Sequence, residues 1–201
     1  MWLHYLKVAH LLRSAAFFTH KSVPVILEPP STTATFADDS AILTVHEDLT
    51  VAAHRLQMHL NKIQSWLKTW RMKANEAKSV QVTFTLKKMT CPPVKLNNEH
   101  PPQADEVKYL GIHLDRRLTW RKHITTKRKQ LVLKLRNLYW IIGHKSQLSL
   151  ENKLLVYKVI LKPVWTYGIQ VWGTASNSDL EILDRCQSKM LRIITCSMVY
   201  T

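Results

Sequence analysis

Glycine is scarce in this chain, with four in 201 residues. That scarcity excludes collagen-like and linker-like architectures and leaves no glycine-rich loop to cradle a phosphate. Cysteine is scarcer still. Cys91, Cys186 and Cys196 are odd in number and form no Cys-x-x-Cys pair. No disulfide framework, structural zinc site or disulfide-linked partner is therefore expected, and a reducing compartment is the default. Ten histidines include no His-Glu-x-x-His, and His54 and His59 stand five apart on a predicted helix. They read as polar surface or satisfied core side chains rather than ligands. No run of eighteen uncharged apolar residues occurs, so no membrane span is expected.

Acid is the other shortage: 14 Asp and Glu stand against 29 Lys and Arg, a net charge of +15 and a pI near 9.9. Such an excess favours a polyanionic partner, either nucleic acid or an anionic membrane surface, and composition leaves the two open. The remainder is ordinary globular material. An apolar fraction of 46% and a charged fraction of 21% exclude wholesale disorder and supply a core without staples.

Residues 1–30 are apolar but broken by Lys7, His10, Arg13, His20 and Lys21. That pattern lacks the unbroken apolar stretch of a secretory signal, so the chain is expected inside the cell, in nucleus or cytoplasm, and not secreted. The acid-poor amphipathic start also fits an organellar transit peptide; otherwise it is a short helix or a poorly ordered lead-in. Pro24, Pro29 and Pro30 mark its end.

Residues 32–45 (TTATFADDSAILTV) read as strand, turn, strand, with Asp38-Asp39 at the turn. Two readings stand side by side. Aspartates serve tight turns by capping their own backbone. Adjacent carboxylates aimed at one spot also suit Mg²⁺, which relieves their repulsion. Next, Ala52, Leu56, Leu60, Ile63, Leu67 and Trp70 repeat with helical spacing over 49–73. Val80–Leu86 alternates as a strand, Val94–Leu96 reads as another before an Asn97-Asn98 turn, and Val107–Leu114 as a third, with Gly111 where the backbone bends or closely approaches. Helical character starts at Thr119, making the fold class α+β.

Four blocks carry a resemblance. TFADDSAIL (35–43), WRMKANEAKSVQVTF (70–84), VKYLGIHLDRRLTW (107–120) and LVYKVILKPVWTYGIQVWG (155–173) occur in order at family-like spacing. They resemble the reverse transcriptases of retrotransposons without long terminal repeats, of the jockey type, over about Ser31 to Val199. The resemblance implies a partial polymerase palm of antiparallel strands and a packed helix over 31–116, then a basic all-helical thumb over 117–201, behind a non-matching lead-in over 1–30. It implies an RNA template, a DNA primer, and Mg²⁺ as the cofactor for attack of a primer 3′-hydroxyl on a nucleotide α-phosphate. By the same match, Asp38 and Asp39 hold metal and are catalytic. Phe36 sits under the primer terminus, and Tyr109, Leu110 and Gly111 shape the primer grip. Lys78 maps near the incoming triphosphate. The bland alternatives are a solvated lysine and an ordinary packed strand.

One departure stands out. Such a site draws a further aspartate from an earlier neighbouring strand, yet residues 1–37 hold no aspartate and one acid, Glu28. The fingers and the nucleotide-selecting element should also lie upstream. The expectation is a truncated polymerase, inactive alone.

Residues 116–150 hold Arg116, Arg117, Arg121, Lys122, Lys127, Arg128, Lys129, Lys134, Arg136 and Lys145 with no acid. Ile124, Leu131, Leu135, Leu138 and Ile142 fall on one helical face, leaving the cations to meet phosphates. Membrane-surface binding is the competing reading, although the apolar side is wanted by the helices that follow. Ser149 is expected to cap Leu150–Leu161, with a stop or kink at Pro163, and Ser178-Asp179-Leu180-Glu181 to open a helix running to about Thr195. Trp165, Tyr167 and Trp172 read as core. The alternative to a polymerase piece is a basic module that grips nucleic-acid backbone through 116–145 without chemistry; a third reading is an inert, unstable product of a broken element copy.

Overall fold

A computed structural model of the chain describes residues 2–8, 31–36, 39–86 and 91–195. They divide into two compact units, one within residues 1–110 and 115–118, the other within 111–114 and 119–201.

The first unit is built on an antiparallel sheet. Its strands are β1 (Trp2–Val8), β2 (Ser31–Phe36), β3 (Asp39–His46) and β4 (Val80–Phe84), in the order β2-β3-β1-β4. β2 and β3 form the expected hairpin, paired from Ser31↔Thr44 to Phe36↔Asp39. Asp39 is thus the first residue of β3 rather than part of the turn. The two connecting positions, Ala37 and Asp38, lie outside the described residues.

Helix α1 (Leu49–Thr69) starts where Asp48 accepts the Thr50 N–H at 2.7 Å, a side-chain cap on an orphan donor. Its predicted stripe packs: Leu56, Leu60 and Leu67 close on Ile42 of β3, together with Ala74, Val94 and Leu96. His59 is buried on the same helix, its two ring nitrogens within 2.7 and 2.8 Å of the Ser31 and Thr33 hydroxyls. Trp70 is exposed because it sits beyond the last helical turn.

Three expectations are corrected here. Residues 2–8 form an inner strand, not a helix or a poorly ordered lead-in; residues 9–30 lie outside the described set. Val94–Leu96 is not a strand. Its donors go elsewhere: Val94 N–H to Gln81 Oε1 at 3.2 Å and Lys95 N–H to Gln57 Oε1 at 2.6 Å, leaving the bridge Leu96↔Glu99 around the Asn97-Asn98 turn. Val107–Leu114 is not one strand but two, β5 (Glu106–Tyr109) and β6 (Ile112–Asp115). Leu110 at φ 45° and Gly111 at φ 79° turn the chain between them, and two successive positive φ values are what a tight hairpin turn needs.

The second unit is helical. Helix α2 (Arg121–Ile142) buries Ile124, Leu131, Leu135 and Ile142 in a core with Tyr157, Leu161, Trp172, Leu183, Met190 and Ile194. Gly143 ends α2, and buried Lys153 closes that end by donating to Gly143 O at 3.0 Å and Ser146 O at 3.2 Å. Helix α3 (Leu150–Val156) is capped by Ser149 as expected. The chain does not stop before Pro163. A wide π-helical turn over Tyr157–Leu161 carries it into α4 (Lys162–Thr166), consistent with a proline that supplies no N–H to the preceding turn. After α5 (Ile169–Trp172) comes α6 (Asn177–Thr195). Its box lies two residues earlier than the sequence suggests: Asp179 N–H donates to Ser176 Oγ at 3.3 Å, and Ser176 Oγ donates to Asp179 Oδ2 at 2.8 Å. Trp172 is buried and Trp165 half-buried, as expected of core, whereas Tyr167 is 49% exposed.

Candidate functional site

The hairpin register brings three of the singled-out residues to one end of the first unit. Phe36 and Asp39 are cross-strand partners at the tip, Phe36 with 63% of its surface exposed and Asp39 half-buried. Tyr109, at the end of β5, donates its hydroxyl to Ala34 O at 3.4 Å. Burial raises the Tyr109 phenol above its usual range, and the negative charge of Asp39 raises it further. An aromatic ring and a carboxylate therefore meet at the hairpin tip, with the phenol bonded to nearby Ala34. Leu110 and Gly111 are not strand residues but the turn that follows. Asp38 lies outside the described residues.

Lys78 is placed by register rather than by contact. It ends an exposed 3-10 turn (Glu76–Lys78) whose start is capped by Asn75. Lys7 of β1 pairs with Ala41 of β3 on one side and with Val80 of β4 on the other. Asp39 precedes Ala41 by two residues, and Lys78 precedes Val80 by two. Both thus lie toward the same end of the sheet, with β1 between β3 and β4. The strands beside β3 are β2, STTATF, and β1, WLHYLKV, and neither contains an acid. Among the described residues, no group of three or more His, Cys, Asp or Glu side chains is gathered so as to hold a metal ion.

The cationic run sorts by burial. Arg117, Lys122, Arg128, Lys129, Lys134 and Arg136 are exposed. Arg116 is half-buried and lies 3.5 Å from Asp105, while Arg121 lies 3.9 Å from Asp179. Lys127 is a correction: it is 9% exposed, with Nζ 5.7 Å from the Tyr167 ring centroid. It falls on the helical face next to Ile124 and Leu131, so it packs as a cation–π partner rather than facing outward. Sequence reasoning missed Trp140, which is 77% exposed on α2; the signal was its helical position opposite the buried stripe. It also missed buried His123, whose Nδ1 accepts the His113 N–H at 3.2 Å. Among the described residues no helix is long and apolar enough to cross a membrane, and Cys91 and Cys186 are free thiols.

The family model for reverse transcriptase (RNA-dependent DNA polymerase) matches residues 9–114. The match starts well before Ser31, so the resemblance is not confined to the chain after the prolines, as the sequence blocks alone implied. A probable RNA-directed DNA polymerase from transposon X-element of Drosophila melanogaster is 42% identical over 85% of the chain and 19% of its own length. The RNA-directed DNA polymerase from mobile element jockey of the same organism is 38% identical over 88% of the chain and 19% of its own length. A probable polymerase from transposon BS is 35% identical over 81% and 18%. The chain therefore spans about a fifth of these relatives. Their alignments of 164 to 177 residues are longer than the 9–114 match. No solved structure matches it significantly.

Proposed function

The chain belongs to the reverse transcriptase (RNA-dependent DNA polymerase) family, and from that premise we propose that residues 31–116 are part of a polymerase palm and residues 117–201 a basic helical thumb. The observation that carries this reading is the gathering of Phe36, Asp39 and Tyr109 at one end of the antiparallel sheet. An exposed ring beside a carboxylate at a hairpin tip suits a primer terminus next to a metal-binding acid. Tyr109, with Leu110 and Gly111 behind it, borders the same edge and holds the primer. Lys78, at the same sheet end, meets the triphosphate. The substrates on this reading are an RNA template and a DNA primer, encountered inside the cell, in nucleus or cytoplasm.

Asp38 and Asp39 have the hard oxygen chemistry that Mg²⁺ prefers, and bound there the ion would offset phosphate charge. The set is incomplete, however. The strand paired to β3 offers no carboxylate, and Lys7 stands opposite Ala41. These residues alone do not fit a two-metal centre, and the 201-residue polypeptide is expected not to join nucleotides unaided. Primer extension on an RNA template with Mg²⁺ or Mn²⁺, beside an Asp38→Ala, Asp39→Ala control, tests this. No extension is expected. Extension abolished in the control would overturn the inactivity and show that another acid completes the site.

A second reading has its own support. The exposed cations of α2, with no acid from 116 to 150, form a face for nucleic-acid backbone whether or not the palm edge performs chemistry.

A further inference from the structure

Lys122, Lys129, Leu133, Arg136 and Trp140 succeed one another on α2 at intervals of seven, four, three and four residues. At about 3.6 residues per turn these steps return to one line along the helix, roughly 27 Å from end to end. That line lies opposite buried Ile124, Leu131, Leu135 and Ile142, and all five of its members are exposed. Trp140 is 77% exposed.

An indole in water at the end of a cationic row serves no packing purpose within the unit. The apolar stripe of α2 is already spent on the core with Tyr157, Leu161 and Met190. A helix lying on a membrane keeps its apolar stripe for lipid and its cations on the other side. Here cations and ring share one line. Aromatic faces interleaved with cations along a track are what a strand with unstacked bases uses: phosphates meet the cations, and a base lies on the ring. The absence of acid from 116 to 150 gives the row the charge complementarity that a polyanion needs.

We propose that this outer line of α2 is a track for a nucleic-acid strand with unpaired bases, on which Trp140 is the stacking platform. The proposal rests on the reading of α2 as a nucleic-acid face and specifies what that face accepts.

The test uses the 201-residue chain with a labelled single-stranded oligouridine and a blunt RNA duplex of equal length, titrated by anisotropy from about 50 to about 200 mM salt. Trp140→Ala should weaken single-strand binding about tenfold, leave duplex binding nearly unchanged, and keep the salt slope; Trp140→Phe should recover most of the loss. A Lys129→Gln, Arg136→Gln pair should instead flatten the single-strand slope by about 1.4. An unchanged melting temperature shows that Trp140→Ala remains folded. Equal binding by Trp140→Ala and the parent, with the glutamine pair still flattening the slope, overturns the stacking role and leaves the cationic face standing. Equal weakening on single strand and duplex overturns the preference for unpaired bases. No salt-dependent binding to either RNA overturns the underlying reading. Phosphatidylserine vesicle binding that Trp140→Ala abolishes, without RNA binding, makes the line a membrane face and overturns the proposal.

Discussion

His123 is sealed inside the helical unit, with none of its surface exposed and its Nε2 without a hydrogen-bond partner. The His113 N–H occupies Nδ1, and Trp172 lies with its ring centroid 5.8 Å away. Burial, then the charges of Lys127 and His113, lower its pKa to about 4. An unfolded histidine titrates near 6.5, so between these values the unfolded chain binds the proton that the folded one refuses. Stability is therefore full above about pH 6.5 and falls with acid, by about 2 kcal/mol at pH 5 from this group alone. Urea unfolding followed at pH 7 and pH 5 should show the loss. Asparagine retains an acceptor for the His113 N–H but does not titrate, so His123→Asn should shrink the difference between the two pH values. An equal drop in parent and variant would assign the acid sensitivity to other groups.

At the scale of elements, the α6 entrance separates two capping schemes. Ser176 accepts from the Asp179 N–H, whereas Ser178 is already within the helix. Ser176→Ala should cost about 1 kcal/mol and Ser178→Ala a few tenths at most, readable as shifts in urea midpoint. The reverse ranking would restore the box that begins at Ser178. The slip is instructive: SNSDLE contains two serines with an acid three residues on, and sequence alone does not say which serine is non-helical. Elements with a strong period were legible. The α1 stripe, the β2–β3 hairpin and the buried line of α2 follow from apolar spacing. What escaped were places where backbone donors are met by side chains from afar. Gln57 and Gln81 take the N–H groups that would have made Val94–Leu96 a strand. The Leu110-Gly111 turn was half-read, because Gly111 announced a bend but Leu110 at φ 45° carries no local signature. At the hairpin end of the sheet, residue type alone singled out Asp39, whereas Phe36 and Tyr109 were named only through the resemblance. Long-range register then put Lys78 at the same sheet end, with acid-free β1 between its strand and β3.

Across the whole molecule, charge is distributed unevenly between the units. The helical unit holds fourteen Lys and Arg against four acids, a net +10, while the sheet unit holds fifteen against ten, a net +5. Two thirds of the +15 thus belongs to the helical unit, which has its own apolar core running from Trp120 to Ile194. That core draws on Ile112 and Leu114 of β6 as well, so a cut at Gly111 preserves every residue that packs in it. A polypeptide of residues 111–201 is expected to keep a helical circular dichroism spectrum and a cooperative melt. It should also keep most of the salt dependence of single-strand binding, since that slope counts the phosphates neutralised and the cations of α2 remain. It keeps Arg116 and Arg117 as well, so the slope should stay close to that of the full chain. A folded 111–201 piece whose slope collapses would move the electrostatic contact to the sheet unit. Retention of the slope would instead separate the molecule's grip from its chemistry. Binding would then belong to the helices, and any catalysis would depend on what completes the metal site beside β3.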